Sequence, residues 1–382
     1  MEYIIWLLLP VAALSGWLSA RKHYRLASMS ASRPDMKSYY KGLNHLLNEQ
    51  PDQAMDVFVS ILEVDNETVE LHLALGNMFR RRGEVDRAIM LHQNLIARPT
   101  LTAEQKDRAL LELGQDFFKS GLLDRAERLF DEVKQSRLCG AEALKYLKEV
   151  YQQESEWEKA IATAQQLEKQ AGHSMASEIA QYYCELAEQC YHLANRTQAN
   201  KWLKKALSQD GDCVRAYLLQ GRMEQDLDNY TSAARAYSAV LQKDPDFAPL
   251  VLENLAVCYE SMQQGKRNLP RLFEDMIGKQ RGRGGILALS NLISRQQSSV
   301  DAHVFLKQQL NVRPSIKLLK QYLQYLPKDK QLEEKNRELV SEVVGILAND
   351  GLDYRCNQCG YGSTKLYWQC PSCQSWSSVK PV

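Results

Sequence analysis

An alanine returns along this chain at nearly fixed intervals, and that recurrence limits the possible folds more than any other feature. Ala54, Ala88, Ala126, Ala160, Ala199 and Ala233 are separated by 34, 38, 34, 39 and 34 residues. Twelve residues before most of them stands another small residue: Gly42, Gly76, Gly114, Ala187 and Gly221, with Lys148 the exception in the fourth segment. Four residues after five of them come bulky side chains, Phe58, His92, Phe130, Leu203 and Tyr237. Turn formers such as Arg82-Gly83-Glu84 and Ser120-Gly121-Leu122 divide each segment in two. A period of this length means stacked supersecondary units rather than one closed core. Helix–turn–helix packing explains the spacing. The small residue of the first helix is expected to meet the alanine of the second, so that the backbones approach. The bulky residue is expected to fill the gap toward the next unit, which makes His92 a buried packing residue.

The pattern resembles the tetratricopeptide repeat, whose period is about 34 residues. Six units are expected near 35–68, 69–102, 107–140, 141–174, 180–213 and 214–247, with Pro245 at the terminal proline position of the sixth. Residues 248–326 read as two or three divergent helical pairs, in which Ala256 and Tyr259 fit a seventh first helix. The fold class is therefore all-α, a right-handed solenoid with a concave groove. The repeat's usual register puts Asn77, Arg80, Gln115, Glu149, Arg215 and Arg222 on the first-helix face lining a partner groove. Arg215 and Arg222 are seven apart and share one helix face.

Beyond the array, residues 327–350 read as a charged linker and a short amphipathic helix carrying Leu339, Val343, Ile346 and Leu347. Residues 351–382 contain YRCNQCGYGSTKLYWQCPSCQSW. Cys356 and Cys359 form one C-x2-C pair, and Cys370 and Cys373 form a second. A two-residue gap aims both sulfurs at one ion, and four thiolates in a tetrahedron suit one iron or zinc ion. With four protein ligands the site is closed, hence structural, and in so short a segment the metal carries most of the folding. Joined through the amphipathic helix, this domain can fold back on the array and shape its groove. Tyr354, Tyr361, Tyr367, Trp368 and Trp376 are expected to wrap its core. The other cysteines, 139, 184, 190, 213 and 258, lack paired spacing and read as small packing residues inside helices. Nine cysteines in all is an odd number, which argues against a fully paired disulfide framework.

At the other end, Tyr3 to Ala20 carries no charge, and eighteen helical residues span about 27 Å, enough for a bilayer core. Trp6 and Trp17 sit near its ends, and Arg21, Lys22, His23 and Arg25 follow. Basic residues resist translocation, so residues 1–20 read as a retained transmembrane anchor with the bulk of the chain cytoplasmic. Residues 21–34 form a linker. The remainder shows no phosphate loop, dinucleotide fingerprint or nucleophile elbow, so no enzyme activity is expected. Lys279, Arg281 and Arg283, within GKQRGRGG, read as a solvated loop. Forty-eight basic against 47 acidic residues leave a formal net charge of +1, which gives no electrostatic case for nucleic acid.

Anchor, repeat array and four-cysteine domain in this order, with endings MEYIIWLLLPVAALSGWLSAR and YRCNQCGYGSTKLYWQCPSCQSW, resemble the lipopolysaccharide assembly protein B family of Gram-negative bacteria. The resemblance covers the whole chain. It implies metal ligation by Cys356, Cys359, Cys370 and Cys373 in a rubredoxin-like domain, although the gap between pairs is shorter than in free rubredoxins and Gln374 replaces the second knuckle glycine. It implies an inner-membrane regulator that acts with the AAA-type protease FtsH on the lipid A deacetylase LpxC, or a scaffold for other lipopolysaccharide synthesis proteins. Two other classes fit parts of the sequence. A four-cysteine iron site suits an electron carrier, and the knuckles also resemble zinc ribbons that bind nucleic acid.

Overall fold

The structure, a computed structural model, describes residues 69–262, 283–312, 315–325 and 352–382, with the positions 17, 40–42, 44, 45, 50, 53, 57 and 344 besides. Nearly all of the expected anchor, its linker, most of the first repeat unit and nearly all of 327–350 lie outside the described residues. No helix among the described residues is long and apolar enough to cross a membrane. Two compact units divide the chain, Met1–Glu156 and Trp157–Val382.

The first unit contains α1 (Val69–Arg81), α2 (Val85–Ile96), α3 (Ala103–Lys119), α4 (Leu123–Val133) and α5 (Gly140–Gln153). Each packs on the next, and α3 also touches α1 and α5. Leu71, Leu75 and Phe79 recur every four residues, so α1 buries one stripe, against which Ala88 of α2 packs. Thr102 starts α3 with a capping box. Its hydroxyl accepts from the Gln105 N–H at 3.3 Å, and the Gln105 side chain accepts from the Thr102 N–H at 3.0 Å.

The second unit begins with α6 (Trp157–Ala171), α7 (Ala176–His192), α8 (Arg196–Gln209), α9 (Val214–Gln225) and α10 (Tyr230–Lys243). A 3-10 turn at Pro245–Phe247 leads to α11 (Ala248–Ser261), and α12 (Arg283–Gln296), α13 (Ser299–Val312) and α14 (Ile316–Gln324) follow. Leu252 of α11, Ile286 and Leu289 of α12, Phe305 and Leu306 of α13 and Leu318 of α14 share one core. That core corrects the expectation of a loop at GKQRGRGG. Arg283, Gly284 and Gly285 belong to α12, drawn into helix by the apolar run behind them, while Lys279 and Arg281 lie outside the described residues. The described residues are thus mostly helical, with one small sheet near the chain's end. There β1 (Tyr354–Cys356) is central and pairs antiparallel with β2 (Gly362–Ser363) and with β3 (Val379–Pro381).

The recurrent alanines Ala88, Ala126, Ala160, Ala199 and Ala233 are each 0% exposed. The small residue twelve positions earlier is needed for a different contact than expected. A Cβ on Gly76 would stand 2.2 Å from the His92 ring, one on Gly114 2.6 Å from Phe130, and one on Gly221 2.5 Å from Tyr237. The bulky residue therefore lies over the glycine of its own helix pair instead of reaching only toward the next. Each pair also turns through a left-handed residue five positions before its alanine: Gly83, Gly121, Ser155, Ala194 and Asp228, at φ +84°, +78°, +57°, +58° and +56°. The following N–H closes the helix end in every case, as in Glu84 N to Phe79 O and Asn229 N to Glu224 O, both 2.9 Å.

Candidate metal centre and arginine clusters

Two knuckles built on one plan bring the four cysteines together. The N–H of Gly360 donates to the Cys356 carbonyl at 2.9 Å, and that of Gln374 to the Cys370 carbonyl at 2.8 Å. Gly360 has φ +78°, and Gln374 takes the same left-handed turn at +57° although it is not glycine. All four sulfurs lie within 4.8 Å of one another, with Cys356 to Cys373 and Cys359 to Cys370 each at 3.7 Å. An ion with four metal–sulfur bonds of about 2.3 Å makes a tetrahedron whose edges are about 3.8 Å, so the donor set fits one ion. Gln358 adds an N–H donor 3.4 Å from the Cys356 sulfur. Cys356 and Cys370 are buried, and Cys359 and Cys373 are exposed.

The thiols titrate apart. Burial opposes ionisation of Cys356, but Ser378 and the N–H groups of Cys359 and Gln358 draw it down to about 6. Ser375 likewise lowers Cys373. Burial pushes Cys370 up to about 11, and the neighbouring Cys373 and Cys356 add to the rise. Cys356 and Cys373 lose their protons easily, and Cys370 is held protonated first by burial and then by its neighbours, which is what a divalent or trivalent ion relieves when bound.

The metal domain folds back on the second unit's helices. Trp376 meets Trp157 and Tyr182 edge-on, with ring centres 6.3 and 5.7 Å apart. Trp368 stacks on Phe247 at 5.8 Å. Gln181 donates through Nε2 to Ser377 Oγ at 2.8 Å. Lys380 reaches Asp244 at 2.7 Å and Asp246 at 3.6 Å, and Lys317 reaches Asp353 at 2.7 Å. Burial works against the Lys380 charge, and the two aspartates outweigh it and raise its pKa. Trp368 and Trp376 thus dock the domain rather than wrap its core. Tyr354, Tyr361 and Leu366 pack on Cys356, Cys370 and Val379, while Tyr367 is exposed. So short a domain lacks the volume to enclose two more indoles.

The arginines expected in the groove sit in two different clusters. Arg80 gathers Asn77 and Gln115 around itself, at 2.8 Å each, and pairs with Glu112 at 2.6 Å and Asp116 at 2.7 Å. Asp116, fully buried, also holds His92 Nδ1 at 2.5 Å. Burial disfavours the Arg80 charge, and Glu112 and Asp116 more than offset that, raising its pKa. Glu149 enters the same electrostatic neighbourhood through Tyr146, whose hydroxyl is raised first by burial and then by Glu142 and Glu149, with Arg80 opposing. In the second unit Arg215 pairs with Glu185 and Glu188, both at 2.8 Å, and its guanidinium lies 5.7 Å from the centre of the Trp368 ring. Arg215 and Arg222 line one cleft with Trp368.

Residues 354–381 match the family described as Rubredoxin metal binding domain, and residues 191–248 match the Tetratricopeptide repeat family. The chain is 34% identical over its full length to lipopolysaccharide assembly protein B of Escherichia coli strain K12, covering 98% of that protein. It is 35% identical to the protein of that name in Haemophilus influenzae strain Rd, again over 100% of this chain and 98% of the relative. The chain belongs to the lipopolysaccharide assembly protein B family. Among solved structures, the crystal structure of MamA covers 44% of this chain and 94% of its own at 22% identity, with a TM-score of 0.34.

In this member of the lipopolysaccharide assembly protein B family, sequence reasoning missed the buried Asp116 and its bond to His92, although an acid two residues after the Gly114 contact was a visible signal. It also missed the thiol pair Cys184 and Cys213, whose sulfurs are 3.8 Å apart. Cys139 and Cys213 are buried but stand just before helices, not inside them, while Cys190 is half-buried.

Proposed function

We propose that this chain is a non-enzymatic adaptor of the inner membrane that regulates lipopolysaccharide synthesis by presenting the deacetylase LpxC to the protease FtsH. The observation that carries the reading is the joining of a repeat array to a four-cysteine domain docked upon it, in a chain of the lipopolysaccharide assembly protein B family. The intended architecture is an anchor at 1–20, a linker at 21–34, six repeats over 35–247, divergent helices over 248–326, a linker and amphipathic helix at 327–350, and the metal domain at 351–382. Cys356, Cys359, Cys370 and Cys373 hold one iron or zinc ion, which supplies tetrahedral cross-linking of the two knuckles. Tethering by the anchor keeps the groove close to the bilayer. Two weak contacts, one to protease and one to substrate, then act intramolecularly at effective concentrations of about millimolar for a short linker. Peptide hydrolysis is left to the partner.

Depletion of the protein tests this directly. The deacetylase half-life, followed after synthesis is blocked, is expected to lengthen, and lipopolysaccharide to rise. An unchanged half-life overturns the adaptor reading. The second reading, a scaffold assembling the biosynthetic enzymes, is favoured by the name of the relatives, lipopolysaccharide assembly protein B. It predicts that enzyme co-purification, not deacetylase lifetime, responds to depletion.

A further inference from the structure

We propose that the cleft between the metal domain and helices α9 and α11 is a peptide subsite, taking an apolar side chain followed by an acidic one from an extended partner segment. It rests on the adaptor reading and gives that adaptor a contact surface. The cleft has a volume of about 380 Å³. That is near the lower end for ligand pockets, about 300–1,000 Å³, and suits a pair of side chains better than a large head group.

Its walls come from two sources. Leu218 and Leu219 of α9 and Leu250 of α11 form one side, and Leu366 and Trp368 of the metal domain form the other. Tyr237 has its hydroxyl committed to Gln225 Oε1 at 2.9 Å, so it offers the cleft its ring. An apolar side chain is the matching occupant.

The polar groups specify the rest. Arg215 is 2% exposed, and its Nη atoms are taken by Glu185 and Glu188, but its Nε is buried without a hydrogen-bond partner. Arg222 is exposed on the same cleft and has no ion pair among the described residues. Since Glu188, the acid of the cleft lining, is committed to Arg215, a carboxylate on the ligand is the matching partner for Arg222. Asn254 donates through Nδ2 to the Leu250 carbonyl at 3.4 Å, which leaves its Oδ1 to accept. A peptide backbone offers an N–H there, whereas a phosphate or an acyl chain offers none. The mixture of donors and an acceptor around an apolar slot favours a peptide over an anionic lipid.

The test uses the full-length, metal-loaded chain in detergent micelles and four fluorescein-labelled nonapeptides of Gly and Ser. Their centres carry Leu-Phe-Glu, Leu-Phe-Gln, Leu-Phe-Lys or Ser-Ser-Glu, and binding is read by anisotropy. The Leu-Phe-Glu peptide is expected to bind best, with the Lys and Ser-Ser versions about tenfold weaker. Arg222→Glu, at an exposed position that folding tolerates, is expected to invert the order of the Glu and Lys peptides, and Trp368→Ala to weaken both Leu-Phe-Glu and Leu-Phe-Gln. Equal affinity for Glu and Lys peptides, no binding at about millimolar peptide, or an unchanged order in Arg222→Glu overturns the proposal. So does retention on anionic phospholipid vesicles that Arg222→Glu abolishes and the peptides fail to displace. The adaptor reading fails by a different measurement, the deacetylase half-life, and that failure leaves the peptide titration standing.

Discussion

The helical array and the metal domain solve the same problem of stability by opposite means. Within each unit the array's helices bury a stripe against their sequence neighbours, and the contacts recur: a 0% exposed alanine, a glycine under a ring, a left-handed turn. Stability there is a sum of similar local terms, and no single one decides the outcome. The metal domain has strands of three, two and three residues around a core of Cys356, Cys370 and Val379. Such a core cannot offset the chain entropy of its own ordering, and a structural ion of this type contributes about 10–16 kcal/mol of apparent binding energy. One region loses stability in increments, and the other loses it all at once. The array also lends the metal domain a surface, since Trp376 and Trp368 are covered by helices, not by their own domain.

The sharpest test of that contrast is Cys356→Ser. It is expected to release the ion and expose residues 352–382 to protease, while far-UV circular dichroism of the array stays near wild type. A retained ion with unchanged digestion would sink the assignment. Acid acts in the same direction. The Cys356 thiol is depressed from its ordinary 9.0 to about 6, so its stabilising contribution is complete above the ordinary value and is lost as pH falls through about 6. A bound ion holds the thiolates lower still, so metal release, followed with a chromogenic chelator, is expected to set in as pH falls below about 6.

Next in size is Trp376→Ala, which removes the indole lying against Trp157 and Tyr182. A cost of about 3–5 kcal/mol is typical for truncating a packed aromatic. Here it is expected to fall on the docking, so the metal stays bound while proteolysis severs the domain from the array. Unaltered cleavage kinetics would mean that the lysine–aspartate pairs suffice for docking. Gly221→Ala is a smaller, local insult. Its Cβ would stand 2.5 Å from Tyr237, and overpacking of this kind costs about 1–3 kcal/mol in urea unfolding. In a Tyr237→Leu background Gly221→Ala is expected to cost little further, a coupling that an effect unrelated to the ring would not show. The smallest change runs the other way. Ala194 holds φ +58° where Gly83 and Gly121 stand in the first unit, so Ala194→Gly is expected to raise stability by about 1 kcal/mol. A decrease would show that the turn is favoured by something other than backbone strain.

Much of the molecule was readable because its signals are short-range. The cysteine pairs announce themselves by spacing alone, and the repeat by alanines that cannot grow. What escaped was of two kinds. Ser155, Ala194 and Asp228 adopt a conformation that their side chains do not advertise, because the hydrogen bonds closing the preceding helix impose it. Gln374 does the same in the second knuckle. The other kind is distant juxtaposition. The acid two residues after Gly114 hints that Asp116 is buried, but nothing near Arg80 tells that this acid binds both it and His92, and nothing near Trp376 tells that Tyr182 receives it. Both kinds are decided by where helices land after stacking.

The bond from Gln181 to Ser377 joins residues 196 positions apart. Helix pairs in the array close loops of a few dozen residues, whereas this contact waits for everything between to be arranged. Loop-closure entropy and topology therefore make docking the late, slow event of folding. The same separation makes it an early event of opening, visible as a low-energy subglobal exchange of the Ser377 to Lys380 amides ahead of the α7 amides. Because the two surfaces share one chain, that opening equilibrium is set by the tether and not by abundance. A cell that makes ten times more of the protein leaves the open fraction where it was.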